Sequence, residues 1–157
     1  MKFSVNQQDL QKSLNYCQGV IEKRSTLPIL SNILLDASNS KLTITATDLD
    51  LIFINEIKDI EIFEEGKTTT TSSILYDIIR KFSPGKKINF SFGGENKLEL
   101  ESEKSIFHLN CIGSSEFPIT DENFNENQFS IKAKSLLKLL NKCKFSVSND
   151  ETRHYLS

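Results

Sequence analysis

The stretch "QFSIKAKSLLKLLNKCKFSVS", residues 128–148, decides how the chain is built, because its pattern has already occurred once. The N-terminus reads "MKFSVNQQDLQKSLNYCQGV", residues 1–20. Phe129 falls on Phe3, Ile131 on Val5, Leu136 on Leu10, Leu140 on Leu14 and Cys143 on Cys17, at a constant offset of 126 residues and without a gap. A chain that restarts itself in this way reads as one complete domain of about 125 residues and the opening of a second. The expected division is a first domain over 1–122, a linker at 123–128 and the start of a second domain over 129–157.

Working outward from the repeat, helical spacing occurs three times. Leu10, Leu14 and Cys17 form one apolar stripe. Ile74 or Leu75 with Ile78, Ile79 and Phe82 form a second, stopped by "SPG" at 83–85. Leu136, Leu139, Leu140 and Cys143 form the third. Each stripe follows a short run with strand character: "KFSV", "KTTTT" and "QFSI". The middle copy starts about halfway through the 126-residue repeat, so the domain itself reads as two halves, each a strand, a helix and several strands. Further strands are expected at "ILSNILLDA", "KLTITATD", "DLIFINEI", "INFSF", "KLELES" and "SIFHLN", separated by turns at "SNS", "GGEN" and "EK". Residues 119–128 lose both periodicities, which is why the linker is placed there. The fold class is α+β, antiparallel sheets with helices on one face.

The formal net charge of −2 hides a division between segments. Residues 128–144 carry five lysines and no acid, and 73–87 carry Arg80, Lys81, Lys86 and Lys87 against Asp77. Residues 48–66 hold seven acids against Lys58, and 88–126 hold eight against Lys97 and Lys104. Basic helices and acidic strands are therefore expected on opposite surfaces. On a helical projection at about 100° per residue, Lys134, Lys138 and Lys142 fall within about 80° of one another, nearly opposite Leu136, Leu139, Leu140 and Cys143. Such a row suits phosphate contact without base readout, since a lysine meets phosphate as a point charge. Its plainer alternative is a solvated face. A lone lysine-rich helix is more often a solvated face, and the absence of a glutamate at the spacing that would pair with these lysines along the helix weakens that alternative.

Other chemistries fit poorly. "GKTTT" at 66–70 resembles the end of a phosphate-binding loop, but Glu61 stands where the motif needs its first glycine, and a strand is expected where it needs a helix. Asp48 and Asp50 in "TDLDL" fit a bend between strands better than a metal site, and His108 reads as an outward strand residue. Cys17 and Cys143 are expected to be small core residues. No nucleophile, base and orienting group converge, so neither catalysis nor a cofactor nor a metal is expected. Three cysteines without metal-ligand spacing fit a reducing compartment. No apolar run approaches the ~18 residues of a membrane span, and no signal peptide is read at "MKFSVNQQ". A soluble, cytoplasmic protein is expected.

Five motifs then stand in a familiar order: "MKFSV" at 1–5, "RSTLPILSNILL" at 24–35, "TDLDL" at 47–51, "SSEFPI" at 114–119 and "RHYLS" at 153–157. Together with the duplication they resemble the bacterial DNA polymerase III beta subunit family, the sliding clamps, along the whole chain. The resemblance implies a clamp fold in which two three-domain chains close head to tail around duplex DNA, helices inside and sheets outside. It implies a non-catalytic processivity role in DNA replication, through sequence-nonspecific contacts with duplex DNA. The implied partners are the replicative polymerase and the clamp loader, which dock through a clamp-binding peptide. By motif, Arg24 and Arg80 correspond to basic residues near the DNA, joined by Lys134, Lys138 and Lys142 of the row. His154 and Tyr155 fall where the family usually has two tyrosines touching DNA. Arg153 and Leu156 border the peptide pocket, and Phe107 and Leu109 lie on the edge where the full-length homodimer joins. Since the sequence stops inside the second domain, a chain of this length is expected to be unable to form the ring alone. The rival readings are a nucleotide-dependent enzyme built on "GKTTT" and a protein-interaction module whose basic helix is not DNA-bound.

Overall fold

A computed structural model describes residues 1–21, 27–93, 96–118 and 129–147. The chain forms two compact units, Met1–Ile119 and Thr120–Ser157. The first holds β1 (Lys2–Asn6), α1 (Gln7–Cys17), β2 (Asn32–Ser38), β3 (Lys41–Thr47), β4 (Ile52–Ile57), β5 (Ile60–Glu64) and β6 (Gly66–Thr71). It continues with α2 (Ser72–Ile79), β7 (Lys87–Phe92), β8 (Lys97–Ser102) and β9 (Ser105–Ile112). The second unit holds α3 (Ala133–Cys143), which forms the expected third helix.

The nine strands form one antiparallel sheet, in the order β4-β3-β2-β6-β9-β8-β7-β1-β5. The sequence pattern suggested separate sheets; the join between them is made by β9. Its residues from Ser105 to Asn110 pair with β8, while Cys111 and Ile112 pair with Thr70 and Thr69 of β6. The two halves of the unit are interleaved. β1 leads the first half but pairs with β7 of the second, and β6 leads the second half but pairs with β2 of the first. β4 and β5 stand at opposite ends of the strand order although only Lys58 and Asp59 separate them in sequence. The sheet must therefore curl until its two ends meet.

The concave side of that curl is apolar for a local reason. Period-two alternation in the strands places Phe3, Leu35, Ile44, Ile88, Phe90, Leu98 and Leu100 on one face, where they join Leu10, Leu14 and Cys17 of α1 and Leu75 and Ile79 of α2 in one buried cluster. Burying side chains of this size contributes roughly 1.5–3 kcal/mol each. Phe3 and Phe90 face each other across the β1–β7 ladder and stack with ring centroids 4.7 Å apart. The polar "KTTTT" run is also internal. Thr69 Oγ1 accepts from Asn32 Nδ2 at 3.1 Å and donates to the Ile112 carbonyl at 2.8 Å, while Thr71 Oγ1 donates to Asn32 Oδ1 at 3.1 Å. These hydroxyls reinforce the junction where only two residue pairs join the half-sheets.

Four expectations need correction. "ILSNILLDA" is not strand from its start: Pro28–Ser31 form a 3₁₀ turn and β2 begins at Asn32, because Pro28 has no N–H to give a ladder. β5 was not anticipated; "IEIFE" carries acids on its outward positions that obscure a short edge strand. In "QFSI", Gln128 lies outside the described residues, and Phe129–Lys132 form no strand. A strand exists only by pairing, and none pairs with these residues among those described. Cys143, unlike Cys17, is exposed, since no residue of α3 is buried. The predicted linker at 123–128 lies outside the described residues.

Candidate nucleic-acid interface

The helical surface of the first unit is built by α1 and α2 together. Three side-chain bonds fix one helix to the other. Gln18 Nε2 donates to Ser72 Oγ at 2.8 Å, Gln7 Nε2 to the Ile79 carbonyl at 2.9 Å, and the Tyr76 hydroxyl to Asn15 Oδ1 at 3.1 Å. Between them lies a shallow hollow of about 380 Å³ lined by Gln8, Gln11, Lys12, Asn15 and Tyr76. The surface is rich in amides and poor in net charge. Asp9 and Lys12 on α1, with Asp77, Arg80 and Lys81 at the end of α2, give three cations against two carboxylates.

Arg80 follows the last turn of α2, its N–H donating to the Tyr76 carbonyl at 3.0 Å. The side chain lies back along the helix. Nη2 is 3.1 Å from Asp77 Oδ1, and the guanidinium carbon is 5.9 Å from the centre of the Tyr76 ring. Lys86 and Lys87 do not belong to this surface, which corrects the basic segment expected over 73–87. Lys87 begins β7 and pairs with Glu61 of β5, and Lys86 pairs with Glu103 at 3.8 Å. The sequence count placed them with the helix by proximity along the chain; the strand ladder places their partners beside them.

The same pairing runs over the strands. Lys41 pairs with Glu56, Lys67 with Asp36 at 2.9 Å, and His108 Nδ1 lies 3.7 Å from Glu99 Oε2. The Lys41 hydrogen bond pulls the Glu56 carboxyl below its ordinary value, and the Glu61 hydrogen bond holds the Lys87 ammonium above its own. Three of the five strand lysines are thus matched by acids, and Lys2 and Lys97 have no ion pair among the described residues. In the second unit the helix is different. Lys134, Lys138 and Lys142 are all exposed and have no ion-pair partner among the described residues.

The remaining sequence-predicted positions divide three ways. Leu109 faces the core at 8% exposure, so its side chain is not free at the edge; Phe107 is partly exposed and packs edge-on against Phe82 with centroids 5.8 Å apart. Among the described residues, the backbone of β9 around them is paired to β8 on one side only, up to Asn110. Arg24, Arg153, His154, Tyr155 and Leu156 lie outside the described residues. Asp48 closes a turn, its Oδ1 accepting from the Asp50 and Leu51 N–H groups at 3.1 and 2.7 Å. Among the described residues no three His, Cys, Asp or Glu side chains gather to hold a metal. No helix among them is long and apolar enough to cross a membrane. Burial pushes the Cys17 thiol up to about 12 and the Cys111 thiol in the same direction, which removes both as nucleophiles at neutral pH.

Comparison with known proteins agrees with this geometry. The family profile described as "DNA polymerase III beta subunit, N-terminal domain" matches residues 1–121. The chain is 35% identical over 159 residues to the beta sliding clamp of Caulobacter vibrioides, covering all of this chain and 42% of that protein. It is 31% identical over 157 residues to the beta sliding clamp of Escherichia coli K12, covering 43% of that protein. The crystal structure of the DNA polymerase sliding clamp from Caulobacter crescentus superimposes with a TM-score of 0.92 at 35% identity, over 99% of this chain and 42% of that one. The chain thus spans less than half the length of the curated relatives it matches.

Proposed function

Since the chain belongs to the family of the DNA polymerase III beta subunit, we propose that it is the leading part of a sliding clamp, a non-catalytic processivity subunit that tethers a replicative polymerase to duplex DNA. The observation that carries the proposal is the distribution of unmatched positive charge. Lys41, Lys67 and Lys87 on the strands, and Lys86 beside β7, are paired with acids, whereas the lysine row of α3 is open on the face opposite its leucines. A surface of this kind holds the phosphate backbone through counterion release, without base edges, and each contact exchanges at little cost. That is what sliding requires, because a base-specific contact would trap the protein at one sequence.

In this reading Lys134, Lys138 and Lys142 with Arg24, Arg80, His154 and Tyr155 face DNA, and Arg153 and Leu156 border the pocket for a clamp-binding peptide of the polymerase and clamp loader. The half-paired edge of β9, with Phe107 packed beside it, joins a second clamp chain by strand addition. The protein works in the cytoplasm.

The test is equilibrium binding of linear duplex over a salt series, with Lys134, Lys138 and Lys142 changed together to glutamate in a clamp carrying this sequence. Each lysine at a phosphate contributes roughly 0.9 to the slope of log K against log salt. The slope is expected to fall by about 2–3, equally on unrelated DNA sequences. An unchanged slope would show that the row is only a solvated face.

A further inference from the structure

We propose that Asp77 competes with phosphate for Arg80, so that the helical surface of the first unit grips DNA less strongly than its cations alone would. The inference rests on the reading of that surface as DNA-facing and deepens it.

Two contacts lay Arg80 along the helix rather than out from it. Asp77 Oδ1 is 3.1 Å from Nη2, the Tyr76 ring lies under the guanidinium at 5.9 Å, and the ring is itself steered by the bond from its hydroxyl to Asn15. The end of a helix is also where a cation is favoured by the aligned peptide dipoles. A phosphate competing for this guanidinium must displace a carboxylate already within hydrogen-bonding distance, whereas a phosphate meeting Lys134, Lys138 or Lys142 displaces only counterions. The Arg80–Asp77 pair is about half exposed at both ends, and pairs of that kind are weak and exchange readily. Asp77 therefore lowers occupancy of the Arg80–phosphate contact without abolishing it. It grades the grip of the first unit downward.

The test measures the salt dependence of duplex binding for the native chain, Asp77→Asn, Arg80→Gln and the double variant, with Asp77→Ala checking that an asparagine amide does not keep hold of the guanidinium. Asp77→Asn and Asp77→Ala are expected to steepen the slope of log K against log salt by up to roughly 0.9, at most about a threefold greater loss of affinity over a fourfold rise in salt. Arg80→Gln alone is expected to lower the slope by less than the Asp77 variants raise it, and in the double variant the gain from Asp77→Asn is lost. A gain that survives in the double variant means that Asp77 acts only as a general negative charge, and overturns the proposal. So does no gain in either Asp77 variant, or a loss in Arg80→Gln alone as large as that gain. Failure of the native chain and every variant to bind duplex overturns the DNA reading itself, and this inference with it.

Discussion

Cys17 and Cys143 occupy the same place in a repeated pattern, yet one is buried in α1 and the other is exposed on α3. The difference is chemical as well as geometric. Burial raises the Cys17 thiol from about 9 to about 12, because the thiolate would lose its hydration inside the apolar cluster. A group whose folded value is raised contributes stability that is complete below its unfolded value and disappears as pH climbs through the folded one. For Cys17 that window runs from about 9 to about 12. Urea midpoints are therefore expected to hold up to about pH 9 and to fall above it, with the alkaline part of the fall reduced in Cys17→Ala relative to that variant's own neutral midpoint. At neutral pH a thiol reagent is expected to modify Cys143 quickly in the native chain, and Cys17 and Cys111 only after denaturation. Fast native labelling of all three would contradict the burial. The equivalence of the two positions was readable from sequence. Their difference was not, because a helical stripe says which face is apolar and nothing about what covers it.

At the scale of elements, the two helices of the first unit begin in different ways although both follow a strand. Asn6 caps α1, its Oδ1 accepting from the Gln8 N–H at 2.9 Å. Thr71 stands at the same point before α2, but its hydroxyl is committed to Asn32 at the junction of the half-sheets. Asn6→Ala is accordingly expected to destabilise the first unit by about 1 kcal/mol, with an unchanged denaturant slope, read from urea unfolding. A cost near zero would mean that α1 is held by packing alone. Much of this scale was legible: three helical stripes, the strands around the turns, and the threonine run as strand rather than phosphate loop all follow from local periodicity. What failed were features set by partners. The exchange of β1 and β6 between halves has no local signature, since alternation marks a strand without naming its neighbour. Lys86 and Lys87 looked like helix charge for the same reason, until β5 and the turn after β8 supplied Glu61 and Glu103. The alternation of β9 turns the Leu109 side chain to the core and leaves only its backbone to the strand edge.

At the scale of the molecule, apolar surface is unevenly distributed between the units. The first closes its core within a curled sheet and two helices. In the second, Leu136, Leu137, Leu139 and Leu140 are all at least 42% exposed, on a helix of 11 residues. A helix that short is marginal in water unless its apolar face is packed. A contiguous apolar stripe exposed to water favours association, and the half-paired edge of β9 offers a second route to it. The chain is expected to self-associate: sedimentation equilibrium should give an average mass that rises with protein concentration. Changing Leu136, Leu139 and Leu140 together to serine should flatten that rise while leaving the urea midpoint of the first unit unaltered, because these side chains add nothing to its buried cluster. If the rise survives the leucine changes and disappears instead on Phe107→Lys, beside the β9 edge, the strand is the adhesive element and the helix is not. A constant monomer mass for the native chain across the concentration range would show that neither the exposed leucines nor the β9 edge is sticky enough to hold two chains together.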